Sequence, residues 1–155
     1  MRISIPGYGD LELTHLVMDF NGTLAVDGIL IDGVREALND LSRHLSLHVL
    51  TADTFGKAAA ELKGIPCILR VLGKDDQQEG KLSYVKTLGP ARTVSIGNGR
   101  NDQKMLKASA LGIAVILEEG ASAETLQAAD VVCPSILSAL ELLRRPLRLT
   151  ATLRS

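Results

Sequence analysis

The stretch HLVMDFNGTLAVDG, His15 to Gly28, decides the fold. An apolar run too short for a helix delivers one aspartate, Asp19, at its end, and the polar turn Asn21-Gly22-Thr23 follows at once. Short apolar runs bounded by turn residues read as buried strands. A carboxylate at the mouth of such a strand is costly to desolvate unless it has a partner or a task. The residue two places further on is an amide, Asn21, and not a second acid.

Outward from Asp19 the chain alternates strand and helix. Strands are expected at His15–Phe20, Leu47–Thr51, Cys67–Leu72, Thr93–Gly97, Ile113–Leu117 and Val131–Cys133. Amphipathic helices are expected at Asp32–Leu45, Thr54–Lys63, Gln77–Leu88, Asn101–Ala108, Ser122–Ala128 and Ser135–Leu143, with Asp32 and the Asn101-Asp102 pair capping their helices. Upstream, Arg2–Ile5 and Leu11–Thr14 flank Gly7-Tyr8-Gly9-Asp10 and predict an N-terminal β-hairpin. Apolar strands separated by helices call for a doubly wound parallel α/β sheet covered on both faces, with right-handed crossovers. The 155 residues are read as one domain, 1–155, without repeats or linkers.

A net charge of −1 and only two Phe and two Tyr give no basic, aromatic surface for nucleic acid. Apolar runs such as LGIAVIL, Leu111–Leu117, fall well short of the roughly 20 residues that span a bilayer. MRISIPGYGD lacks the apolar region of a signal peptide. Cys67 and Cys133 lack metal-type spacing and read as small buried hydrophobes in a reducing cytoplasm.

In open parallel sheets, ligands gather beyond the carboxyl ends of the strands, where the strand order reverses. Three strands carry polar groups there: Asp19-Phe20-Asn21-Gly22-Thr23 after the first, Thr51-Ala52-Asp53-Thr54 after the second, and Asn98, Asn101 and Asp102 in SIGNGRND after the fourth. Lys81 lies early in the helix before that fourth strand. Each has an ordinary explanation by itself: a turn, a cap or a solvated lysine. Their convergence on one sheet edge points to chemistry.

DFNGT, HVLT, Lys81 and GNGRND together resemble the haloacid dehalogenase superfamily, whose usual first motif is DxDGT. KLSYVKTL, GNGRND and TADT look like the phosphorylation domain of P-type ATPases, and the whole is most similar to the small soluble P-type ATPase-like phosphatases. The likeness runs from about Leu16 to Leu143.

The resemblance implies a Mg²⁺-dependent phosphohydrolase with Asp19 as nucleophile, forming an aspartyl-phosphate. Mg²⁺ would be held by Asp19, the carbonyl of Asn21 and the side-chain oxygen of Asn98. Thr51, the backbone at Ala52 and Lys81 would bind phosphate. Asp53 would orient the lysine, and Asn101 and Asp102 would support the metal's waters or the lysine.

Two departures stand out: Asn21 replaces the acid that protonates the leaving group, and Asn98 replaces a metal-binding carboxylate. A degenerate relative that binds Mg²⁺ and phosphate, or a protein partner, with little turnover is the alternative. A phospho-accepting receiver domain fails on motif order.

Only Leu24–Ile31, around an Asp27-Gly28 hairpin signal, separates the first motif from a helix, so no cap domain is expected. An open site suits a phosphorylated small molecule or macromolecule, or a homo-oligomer that closes it. The tail RRPLRLTATLRS alternates weakly and reads as an edge strand or interface, or as a packed or frayed terminus.

Overall fold

A computed structural model describes residues 1–53 and 56–155, so the expected helix start at Thr54 lies outside the described residues. The N-terminal hairpin pairs β1 (Arg2–Ile5) with β2 (Gly9–Glu12). The second strand begins two residues early because the Asp10 carboxylate accepts hydrogen bonds from Ser4 Oγ at 2.6 Å and from Arg2 across the pair. There follow β3 (His15–Asp19), a small hairpin of β4 (Ala25–Val26) and β5 (Ile29–Leu30), α1 (Val34–Leu41), β6 (Ser46–Thr51), α2 (Ala58–Glu61) and β7 (Cys67–Val71). The second half comprises α3 (Gln77–Leu88), β8 (Thr93–Gly97), α4 (Gln103–Ala108), β9 (Leu111–Val115), α5 (Ala123–Ala128), β10 (Val131–Cys133), α6 (Ile136–Arg144) and α7 (Pro146–Leu153).

Six strands form one parallel sheet in the order β10-β9-β8-β3-β6-β7. The order reverses between β3 and β8, which places Asp19 and Asn98 beside the crevice that such a switch point opens. Alternation along the strands divides the core into two layers. Leu16, Met18, Val49, Ile96 and Ile113 pack under α1, α2, α6 and α7. Val17, Leu50 and Ala114 face α3, α4 and α5. A partly buried polar chain crosses that second face: the His48 ring lies 3.1 Å from His15 Nδ1 and 2.9 Å from the Tyr84 hydroxyl. Burial, then the nearby His15 and Arg70, push His48 down to about 4.

The expected α/β architecture and hairpins are present, with local corrections. Helix α1 follows Gly33 in the left-handed region (φ 88°), so Asp32 does not cap it, and the helix ends at Leu41. Ser122 and Ser135 precede their helices as N-cap residues, and a 3₁₀ turn, Arg100–Asp102, precedes α4. The tail is helix α7: Pro146 occupies its first turn, and Leu149 and Leu153, four apart, pack inward beside β1. Cys67 is half-buried and Cys133 buried, both free.

Strand β9 begins two residues earlier than expected because Gly112 belongs to it. A Cβ on Gly112 would stand 2.6 Å from the Leu106 carbonyl oxygen, so the glycine lets α4 lie close against the sheet. The clash is with backbone, which cannot rotate away. Gly112→Ala is expected to lower the unfolding free energy by roughly 1–3 kcal/mol, read from urea denaturation. An unchanged midpoint would show that α4 and β9 separate freely.

Candidate active site

Asp19 ends the central strand and Lys81 stands on the second turn of α3, on the far side of the sheet edge. The lysine is fully buried, and its Nζ donates to Asp19 Oδ1 and to Asp102 Oδ1, each at 2.6 Å. Asp102 is also fully buried. Its Oδ2 accepts the backbone N–H groups of Asn98 (3.0 Å) and Gly99 (2.9 Å), which folds the turn after β8 around the carboxylate. Gly97 is required there, since a Cβ would lie 2.5 Å from that carboxylate.

Thr23 links the two motif loops. Its hydroxyl lies 3.4 Å from Asp19 Oδ2 and 3.2 Å from Asn98 Oδ1, aimed between the two acceptors. The Asn98 amide nitrogen donates to Gly120 O at 3.1 Å, and Ser122 N donates to Asn98 O at 2.9 Å. On the other flank, Thr51 Oγ1 accepts the Asp53 N–H at 2.8 Å, which leaves the threonine's own hydrogen available to a ligand.

Six of the expected residues, Asp19, Asn21, Thr51, Ala52, Asn98 and Asn101, line one open cleft of about 420 Å³, while Lys81 and Asp102 are buried outside its lining. Asp53 is a correction. Lys81 is oriented by Asp102, whereas the Asp53 carboxylate accepts the N–H of Ala58 at the start of α2. A backbone φ of 49° at Asp53 turns the chain toward that helix. Asn101 donates to Gln77 Oε1 at 2.8 Å and so ties the turn to α3. Sequence reading named Thr23 at the strand end without giving it a role, and missed Gln77, Arg100 and Glu119. For Glu119 a signal existed: the acidic turn Glu118-Glu119-Gly120 follows a strand at the same sheet edge.

Charge dominates this site. Two carboxylates share one ammonium, so the buried triad carries an excess negative charge. Burial, then repulsion from Asp102, push Asp19 up to about 7 against the opposing pull of Lys81. Burial works against the charge on Lys81, but Asp19 and Asp102 outweigh it and raise its pKa above the ordinary lysine value. Another positive charge beside Asp19 would relieve the excess. The available groups fit a hard divalent cation: Asp19 carboxylate oxygen, Asn98 Oδ1 and the carbonyl of Asn21 are all oxygen donors. Asn21 Oδ1, shielded from solvent, accepts no hydrogen bond among the described residues. No three His, Cys, Asp or Glu side chains converge as a metal cluster among the described residues, so a cation here would need amide and carbonyl oxygens among its ligands.

A parallel sheet with a carboxylate–lysine–carboxylate triad at its switch point defines an α/β protein with its ligand site at the carboxyl ends of the strands. Residues 81–137 match the haloacid dehalogenase-like hydrolases, and the chain belongs to that superfamily and is a hydrolase. The uncharacterized protein MJ0073 of Methanocaldococcus jannaschii is 46% identical over 63 residues, 41% of this chain and 68% of the relative. The 3-deoxy-D-manno-octulosonate 8-phosphate phosphatase of Moraxella catarrhalis, solved with magnesium, phosphate and KDO, superposes with a TM-score of 0.67 at 19% identity, covering 85% of this chain and 86% of that one. The cobalt-bound deoxy-D-mannose-octulosonate 8-phosphate phosphatase of Haemophilus influenzae gives a TM-score of 0.63 at 16% identity, covering 87% of this chain and 90% of that one. These structures share the fold. No helix among the described residues is long and apolar enough to cross a membrane.

The triad makes stability pH-dependent. A carboxylate whose folded pKa lies above its unfolded value near 4 binds its proton more tightly when folded, so stability falls as pH rises from about 4 to about 7. Asp19→Asn removes that titration and leaves Lys81 paired with Asp102 alone. In EDTA, the variant should melt higher than wild type at pH 8, and this advantage should shrink at pH 5. An equal advantage at both pH values would mean that Asp19 is not destabilised by its charge.

Proposed function

We propose that this protein is a Mg²⁺-dependent phosphohydrolase acting through an aspartyl-phosphate on Asp19. The observation that carries the reading is the Asp19 carboxylate, fixed by Lys81 at 2.6 Å yet facing an open, oxygen-lined cleft at the sheet's switch point. The phosphatase names of the structural neighbours are compatible with it, and the motif pattern favours the soluble P-type ATPase-like group.

Asp19, Asn98 and the carbonyl of Asn21 would hold the cation, which supplies charge neutralisation between the carboxylate and an incoming phosphate. Phosphoryl transfer asks the protein mainly for positioning and electrostatic stabilisation. Asp19 Oδ attacks phosphorus in line as the P–O bond to the leaving group breaks, and the electron pair departs with that oxygen. Thr51 donates its hydroxyl hydrogen to a phosphoryl oxygen, with backbone N–H groups near Ala52 beside it. Lys81 offsets the charge between nucleophile and phosphate. Water then attacks phosphorus and frees Asp19 and inorganic phosphate.

Position 21 decides which esters suit the site. Asn21 can neither protonate a departing alkoxide nor activate the water. Lost general-acid help costs about 10²–10⁴-fold for a basic leaving group. Leaving groups stable as anions, as in acyl phosphates, anhydrides and aryl phosphates, lose far less. The expected order is therefore acyl, anhydride and aryl phosphates ahead of alkyl monoesters, with a slow second step.

Asp19→Asn should abolish turnover and beryllofluoride trapping. Asn21→Asp should raise hydrolysis of alkyl esters more than that of anhydrides. The assay compares the three proteins across leaving groups of graded basicity, with Mg²⁺ and with EDTA. Normal activity in the Asp19 variant, or alkyl and aryl esters hydrolysed equally by wild type, would overturn the reading. Trapping without turnover would instead favour the binding relic.

A further inference from the structure

We infer that Glu119 is a further ligand side chain of the cation site, supplying the second carboxylate that Asn98 does not provide; this rests on the cation-binding reading of Asp19 given above. Among the residues lining the cleft, Asp19 and Glu119 are the two acids. Asp102 stays behind the wall, with its oxygens engaged by Lys81 and by two backbone N–H groups. Glu119 has no hydrogen-bond or ion-pair partner among the described residues. The nearby Arg100 is already paired, its Nε donating to Glu124 at 2.8 Å.

The position of Glu119 is built into the loop. Gly120 N donates to Leu117 O at 2.9 Å, closing a tight turn with Gly120 at φ 72°. Asn98 fastens that turn from both ends of its own residue: its side-chain amide donates to Gly120 O, and its carbonyl accepts from Ser122 N. Glu119 Oε2 and the Asn98 amide then converge over the same face of Gly22. A Cβ on Gly22 would lie 2.7 Å from Glu119 Oε2, 2.6 Å from Asn98 Nδ2 and 2.8 Å from Asn98 Oδ1. Gly22 directly follows Asn21, whose carbonyl is an expected ligand. A carboxylate carried on a fixed turn, beside Asn98 and over the Asn21-Gly22 peptide, stands where a cation on Asp19 and Asn98 would feel its charge. With it, two acids face a dication in a cleft where both family acids have become amides.

The neighbouring Glu118 provides the control. It carries the same charge, but lines a separate groove beside Pro134 and Leu137. Mg²⁺ binding is measured by calorimetry and by Mg²⁺-dependent melting on wild type, Glu119→Gln, Glu118→Gln and Asp19→Asn. Glu119→Gln should weaken Mg²⁺ on the order of fivefold, as expected from ligand charge count in a partly solvated site. Glu118→Gln should change it less than twofold on the same grounds. Unchanged melting in EDTA would show that the exposed glutamine variants fold. Equal Mg²⁺ affinity in the Glu119 and Glu118 variants, with binding lost in Asp19→Asn, would overturn the role of Glu119 alone. Full Mg²⁺ binding by Asp19→Asn would overturn the cation-site reading itself.

Discussion

Everything at the catalytic edge depends on one buried ammonium. Lys81 is stripped of water, and only the two carboxylates within 2.6 Å make that tolerable. Removing the lysine would cost about 3–5 kcal/mol, because both carboxylates would be left buried without a compensating charge, whereas losing one carboxylate still leaves a compensated pair. The lysine therefore ties together elements distant in sequence: the end of β3, the first half of α3 and the turn after β8. Because two anions share one cation, the arrangement holds Asp19 in place without neutralising it. It leaves a carboxylate whose uncompensated charge faces the cleft.

Such convergence needs room, and glycine supplies it. Gly97 has no side chain because the Asp102 carboxylate occupies the volume a Cβ would take. At Gly22 the same volume is claimed by Asn98 and Glu119, and a φ of 79° further excludes other residues. Both glycines belong to the motifs, DFNGT and GNGRND. Their role is to let polar side chains approach the backbone within hydrogen-bonding range while the sheet above stays closely packed.

Much of this was legible in the sequence, because burial on both faces of a parallel sheet writes itself as short apolar runs. The strands at His15, Thr93 and Val131, the helix Gln77–Leu88 and the Asp27-Gly28 hairpin are where pattern and turn chemistry predict them. Asp27 and Gly28 both adopt positive φ, as that turn requires. What pattern could not reveal was the partner of each charge. Lys81 sits in a sequence that reads as a solvated helix, and only the fold turns it under the sheet edge. Asp53 and Asp102 were interchangeable as anchors for it until the backbone at Asp53 turned toward Ala58. Alternation in the tail suggested a strand, yet Leu149 and Leu153 also satisfy helical spacing, and packing against β1 favours the helix. Glu119 escaped notice because its importance comes from Gly22, nearly a hundred residues away in the chain.

The amide at position 98 now has a physical reason beyond the loss of a charge. A carboxylate there could offer oxygen to a cation, but it has no hydrogen to donate to Gly120 O, and the two oxygens would repel. Asn98 does both: Oδ1 stays on the side of Asp19 and Thr23, while Nδ2 holds the Leu117–Gly120 turn. On the proposed reading, the charge that an acid at position 98 would carry is supplied from that turn by Glu119, on a longer and more exposed side chain. Cation affinity in such a site depends on how firmly the turn is held as well as on the donor atoms. On the proposed reading, the same amide would serve as an oxygen donor toward the cleft and as the anchor of the loop that carries the second acid.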